Sequence, residues 1–167
     1  MRQSPIRFIR QQGFLEPNPP TCWYSALMLQ PRIIGGLVAL GVLLQSPWLF
    51  LSLSAVLWWS ALVPAFNPFD ALHNYLVAYP RGLPLLGAAP APRRFAQGVA
   101  ASLSLAIAAA LARGAAATAW TLESLFVLAL IALIFGRFCV GSYLYHVLRR
   151  GLSSYMARLK PDPTTGT

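Results

Sequence analysis

Acidic residues and lysine are scarce in this chain. Four Asp or Glu residues and a single lysine occur in 167 residues, and charged residues make up 10% of the sequence, against about 25% in soluble domains. Hydrophobic residues make up 57%. This composition excludes an ordinary soluble domain and predicts an integral membrane protein with membrane lipids as its surroundings.

Cysteine is almost absent as well. Cys22 and Cys139 are the two cysteines, and they do not form a C-x-x-C motif, which excludes a disulfide framework. Glycine-rich phosphate loops, zinc-protease motifs and serine-hydrolase motifs are also missing. The sequence therefore predicts neither catalytic residues nor a metal site, and we expect that the protein is not an enzyme.

Long apolar runs are what the sequence has in abundance. Four of them predict membrane spans at about 27–45, 48–66, 94–112 and 120–148, since about twenty apolar residues are needed to cross the hydrocarbon core. The predicted fold is all-α: a polytopic membrane protein with a bundle of four transmembrane helices over residues 26–150.

Arginine is distributed unevenly around these spans. Clusters precede the first span, separate the second from the third and follow the last, whereas the connection 113–119 carries a single arginine. Because cytoplasmic loops of membrane proteins are rich in Lys and Arg, we expect a bacterial inner-membrane protein with both termini cytoplasmic: an extended Pro-rich segment 1–25 and a tail 151–167. No dense basic run with interleaved aromatics indicates nucleic-acid binding.

Small residues recur at every fourth position along the third span. The ladder consists of Gly98, Ser102, Ala106, Ala110 and Gly114. Such ladders let helix backbones approach closely in lipid, where packing supplies much of the association energy. The sequence leaves open whether this ladder packs within its own bundle or docks against a partner subunit.

The stretch NPFDALHNY predicts a short helix in the central cytoplasmic loop, over about 68–78. Asn67 suits an N-cap, Pro68 the first helical position, and Asp70 the positive end of the helix dipole. Apolar and polar residues fall on opposite sides of this helix, a pattern typical of helices lying in the membrane surface.

Arg137 lies inside the fourth apolar run, where a charge is costly unless it is paired or reaches the headgroups. Asp70 is the best available carboxylate, because Glu123 is fourteen residues earlier on the same predicted helix, about 21 Å away. We expect an Asp70–Arg137 ion pair that pins the surface helix to the bundle. The alternative is an Arg137 that snorkels to the headgroups.

Two segments, PRRFAQGVAASLSLAIAAAL and LFVLALIALIFGRFCVGSYLYHVL, resemble the third and fourth spans of a bacterial family of small four-span membrane proteins of unknown function. QSPWLFLSLSAV resembles the turn between their first two spans, so the resemblance covers most of 30–150. The family implies Phe-Cys-x-Gly-Cys in the fourth span and an association with thioredoxin-like proteins. Phe138, Cys139 and Gly141 match, but Ser142 stands where the second cysteine would be, which removes the dithiol.

Cofactors are left open by the sequence. His73 and His146 are both placed near the cytoplasmic surface by the predicted topology, which makes them weak candidates for a bis-histidine site. Two histidines without characteristic spacing are more often hydrogen-bonded residues. Bound lipid is expected, with a pigment or quinone as the alternative.

Arg137 is the one charge well inside a predicted span, and no inverted repeat is evident, so the sequence offers little for a transport path. With catalytic and nucleic-acid roles also unsupported, we expect a non-catalytic accessory or structural subunit of a larger inner-membrane complex, respiratory or photosynthetic. Phe8, Phe14, Trp23 and Tyr24 are the residues expected to contact other membrane subunits, since aromatic anchors are common in interfaces. The alternative is a stand-alone membrane protein in thiol or quinone redox chemistry, with Cys139 and Arg137 near its site.

Overall fold

The computed structural model describes residues 5–16, 19–20 and 22–159, with side chains described as far as residue 152. Seven α-helices and no strand occur in these ranges, which confirms the all-helical prediction for this part of the chain. The helices are α1 (Pro5–Gln11), α2 (Cys22–Leu44), α3 (Pro47–Leu62), α4 (Pro68–His73), α5 (Ala91–Ala112), α6 (Ala116–Ile134) and α7 (Val140–Leu159).

Three of these helices, α2, α5 and α6, are long and apolar enough to cross a membrane. Helix α3 is equally apolar but has 16 residues. The chain turns at Gln45, which has a φ of 45°. Ser46 is the N-cap of α3, and its hydroxyl accepts a hydrogen bond from the Leu49 N–H. Pro47 is the first residue of the helix. The helices α2 and α3 therefore form a hairpin with a two-residue turn.

The prediction of one continuous helix over 120–148 is wrong. Helix α6 ends at Ile134 and α7 begins at Val140. Between them Arg137 adopts a φ of 55°, and the Phe138 N–H donates to the Ala132 carbonyl oxygen at 3.1 Å. A left-handed residue with backward hydrogen bonding is a common helix ending, and it overrides the apolar character of the surrounding sequence.

Helix α5 lies at the centre of the fold and packs along α3, α6 and α7. The main apolar core joins it to α2, α3 and α6, with Val38, Phe50, Leu57, Ile107 and Phe126 among its buried members. The Ser54 hydroxyl on α3 donates to the Ala101 carbonyl oxygen at 2.8 Å. Close approach of α3 and α5 thus follows from small and apolar residues on facing sides.

The amino-terminal segment is not extended as predicted. Pro5–Gln11 is helical, and Phe8 and Ile9 are fully buried in a second apolar cluster with residues of α2 and Leu86. Apolar side chains on one side of α1 cover the first turns of α2, which gives the segment a reason to fold back. The tail beyond residue 159 lies outside the described residues.

The central loop 63–90 begins with a 3₁₀ turn, Pro64–Phe66, and continues through α4 into a π-helical turn, Asn74–Ala78, and a second 3₁₀ turn, Tyr79–Arg81. Asn67 caps α4, its side-chain oxygen accepting a bond from the Phe69 N–H at 3.1 Å. The Asn74 amide exchanges two 2.9 Å bonds with the backbone of Leu86. These bonds connect the helical first part of the loop to its last residues before α5.

Candidate functional site

Four polar side chains meet in the interior where α2, α4 and α5 come together. Asp70 comes from the first turn of α4, Arg93 and Gln97 from the beginning of α5, and Gln30 from α2. Counted over the whole residue, each is at most 6% exposed. We call these four residues the polar cluster.

The centre of the polar cluster is a two-pronged ion pair. Arg93 Nη1 lies 2.8 Å from Asp70 Oδ2, and Nη2 lies 2.6 Å from Asp70 Oδ1. Nη2 also donates to Gln30 Oε1 at 2.7 Å, and Gln97 Nε2 donates to the same oxygen at 3.1 Å. The guanidinium therefore links the loop helix α4 to α2 and α5.

The Asp70–Arg93 arrangement corrects the predicted Asp70–Arg137 pair, which is wrong. Asp70 is paired with Arg93, whereas the Arg137 guanidinium lies over the Tyr24 ring, 5.0 Å from its centroid. The break between α6 and α7 is the physical reason, because it takes Arg137 out of a regular helix. The sequence places Arg93 only among the arginines that separate the second predicted span from the third.

The polar side of the loop helix turns inward. Asp70 and His73 are buried, while Leu72, Tyr75 and Leu76 are 42–76% exposed. A helix on a water-exposed surface would have the opposite arrangement, with its polar residues exposed and its apolar residues buried. It fits a helix whose apolar side faces lipid and whose carboxylate serves a buried arginine.

A cavity of about 170 Å³ adjoins the polar cluster. Gln30 of α2 and Arg93 and Gln97 of α5 line it, and its remaining wall is mostly apolar, with Ile34, Leu103, Phe126 and Leu130 among the lining residues. From Arg93 to Leu103 the wall follows ten residues of α5, about 15 Å at helical rise. The cavity is therefore elongated, with polar groups towards one end.

Gln97 leaves one buried polar atom without a partner. Its Oε1 accepts no hydrogen bond from any described residue, and an unsatisfied buried acceptor costs about 1–3 kcal/mol. The assignment of this oxygen is fixed by chemistry: Gln30 Oε1 already accepts from Arg93, so the Gln97 atom facing it must be the nitrogen donor. Trp23 Nε1, Asn67 Nδ2 and both ring nitrogens of His73 are similarly unpartnered among the described residues.

Two consecutive glutamines of the first helical segment hold the start of α7. Gln11 Nε2 donates to the Cys139 carbonyl oxygen, and its Oε1 accepts from the Cys139 N–H, both at 3.2 Å. The Ser142 hydroxyl lies 3.3 Å from the Pro92 carbonyl oxygen and 3.4 Å from Gln12 Oε1. Cys139 lines the cavity and is 7% exposed. Cys139 thus lines the cavity, and the Gln11 side chain holds its backbone through two hydrogen bonds.

The two histidines have different surroundings. His146 Nε2 is 3.2 Å from the Gln11 carbonyl oxygen, whereas His73 is buried with neither ring nitrogen bonded to a described residue. The structure gives the two rings no shared partner in the described part of the chain. Neither histidine lines the cavity.

Three of the four predicted partner-contact residues are not at the surface, and for these three the prediction is wrong. Phe8, Phe14 and Trp23 are at most 9% exposed, and Tyr24 is half-buried, with Phe8 at its ring edge, 5.9 Å between centroids. Their apolar surface is used in the chain's own second cluster. Sequence alone did not show that α1 folds over α2.

The small-residue ladder of α5 is divided between interior and surface. Ala110 is buried and Gly98 is half-buried beside Trp58, whereas Ser102 and Ala106 are exposed. Gly114 is exposed beyond the end of α5, with a φ of 69°. The neighbouring residues Ser104 and Ala108 are the ones that pack inside the bundle.

Three of the described helices are long and apolar enough to cross a membrane, which suggests a helical membrane protein. The family model described as a domain of unknown function (DUF4395) matches residues 28–150, and the chain belongs to this family. The family relationship predicted from the sequence is thereby confirmed. No curated protein and no solved structure matches the chain.

Proposed function

We propose that the protein is a non-catalytic accessory subunit of a larger complex in the bacterial inner membrane, respiratory or photosynthetic, with four spans formed by α2, α3, α5 and α6 and with both termini cytoplasmic. The observation that carries this proposal is the uncovered face of α5. Val99, Ser102, Leu105 and Ala106 are all exposed there, on the helix that otherwise forms the centre of the fold.

The exposed face has the chemistry of a helix-docking surface in lipid. Its central residues are small, so a neighbouring helix can approach its backbone closely. The Ser102 hydroxyl donates to the Gly98 carbonyl oxygen at 2.9 Å, which satisfies it without a partner. The Ser102 hydroxyl therefore needs no partner from another subunit. A neighbouring helix in hydrocarbon would bind this face through close packing.

Native mass spectrometry after gentle solubilisation tests the proposal. We expect the wild-type chain to be recovered with companion subunits and the Ala106→Phe variant to be recovered at the monomer mass, because the ring holds a neighbouring helix away. Leu128→Phe is the matched control: Leu128 is 62% exposed on α6, and this variant should retain the companions. A wild-type chain found only as a monomer contradicts the proposal.

The alternative, thiol or quinone redox chemistry, is favoured by one observation: Cys139 and Arg93 line the same cavity. The other residue of the expected motif, Ser142, is hydrogen-bonded and fully buried, so the thiol part would depend on Cys139 alone. Loss of a quinone-dependent activity in a folded Cys139→Ala variant would favour this alternative over the subunit role.

A further inference from the structure

The cavity beside the polar cluster has the form of a binding site for a membrane-soluble molecule. Val99, Val140 and Leu144 line it and are 40–45% exposed. These residues lie on α5 and the start of α7, so the cavity opens between these two helices onto an apolar surface. A ligand would therefore enter from the lipid.

The size of the cavity limits what its interior accepts. At about 170 Å³ it is comparable to an engineered cavity of about 150 Å³ that binds benzene. One six-membered ring fits, and a longer chain must leave through the opening. The ring is the part held by protein, and the chain is the part held by lipid.

Charge and hydrogen bonding limit the head group. Arg93 is the charged residue among the described cavity-lining residues, and Asp70 neutralises it, so the site does not favour a charged ligand. Gln97 Oε1 is a buried acceptor without a donor. The head group that complements it is neutral and carries an O–H.

We propose that this cavity binds a quinol-type molecule: a neutral hydroxyl-bearing ring with an apolar tail. Its ring hydroxyl donates to Gln97 Oε1, the ring contacts the apolar wall formed by α2, α5 and α6, and the tail passes between α5 and α7. The corresponding quinone has no O–H to donate, so the site prefers the reduced form. This inference concerns the isolated chain and holds whether or not partner subunits exist.

Equilibrium dialysis of the purified full-length chain in detergent tests the proposal, with protein-free micelles as the partition control. The probes are a decyl-substituted benzoquinol, kept reduced under argon, the matching benzoquinone, and dioctanoylglycerol, which carries an aliphatic hydroxyl. We expect saturable binding of one quinol, about tenfold tighter than the quinone, the size of effect that one hydrogen bond to a buried acceptor produces. Gln97→Leu should lower the quinol affinity to that of the quinone.

Three results would overturn the proposal. Equal binding of quinol and quinone by the wild-type chain removes the role of the acceptor, and this comparison needs no variant. If a folded Gln97→Leu chain still binds the quinol more tightly than the quinone, Gln97 is not the acceptor. Displacement of the quinol by dioctanoylglycerol at equal or lower concentration identifies the occupant as an ordinary lipid.

Discussion

Arg93 holds Asp70 through both of its terminal nitrogens, at 2.6 and 2.8 Å, with the two side chains 5% and 8% exposed. The acid belongs to the loop after α3 and the base to the first turn of α5. Removing one member of a buried pair leaves an uncompensated charge, at a cost of about 3–5 kcal/mol. The ion pair therefore fixes where the central loop meets the start of α5.

The contact between α5 and α7 depends on a glycine. A Cβ at Gly141 would lie 2.7 Å from Ala96 Cβ and 2.8 Å from Ala96 Cα. We expect Gly141→Ala to destabilise the protein by about 1–3 kcal/mol through overpacking, measured as a lower thermal midpoint in detergent. Gly36→Ala is the control, because nothing lies within 4 Å there, and alanine favours a helix by up to about 1 kcal/mol. Equal midpoints for the two variants would remove the proposed role of Gly141.

The turn between α2 and α3 bonds a second buried carboxylate, Glu123 of α6. Gln45 Nε2 lies 3.1 and 3.3 Å from the two oxygens of Glu123, which is 1% exposed. Gln45→Leu should cost at least about 1–3 kcal/mol, because it leaves Glu123 without this donor. Glu123→Gln keeps an acceptor and should cost less. If Gln45→Leu unfolds at the wild-type midpoint, the hydrogen bond is unimportant.

The arginine distribution predicts the orientation of the helices in the membrane. Arg93, Arg94, Arg149 and Arg150 lie at one predicted face, and Arg113 lies at the other. A green fluorescent protein fused after Thr167 should therefore fluoresce, and alkaline phosphatase at the same place should stay inactive. The reverse pair of results would place the carboxyl terminus outside and contradict the proposed topology.

The composition was enough to predict helices of spanning length, because apolar runs and helix-start residues act locally. It did not reveal the end of α6, since Phe135–Phe138 remains apolar apart from Arg137, and the left-handed conformation of one residue leaves no periodic signal. It did not reveal the burial of Phe8 and Trp23 either, because that depends on a contact between two helices.

The polar cluster likewise has one part that the sequence predicts and another that it does not. The sequence identifies Asp70 as the best available carboxylate for a buried arginine, because acidic residues are scarce and the helix start at Asn67 is visible. The choice of Arg93 over Arg137 depends on three-dimensional packing of α4 against α2 and α5. Gln30 and Gln97 were missed, although two glutamines within apolar helices were a visible signal.

Asp70 and Arg93 stabilise the fold as a pair, and a double-mutant cycle measures the coupling between them. Unfolding free energies in detergent would be measured for Asp70→Leu, Arg93→Met and the double variant, with Arg94→Met as the control. Arg94 is exposed, and its Nε donates to the Ala61 carbonyl oxygen at 2.8 Å. We expect each single variant to lose about 3–5 kcal/mol and the double variant to lose less than their sum. Strictly additive losses would contradict the account.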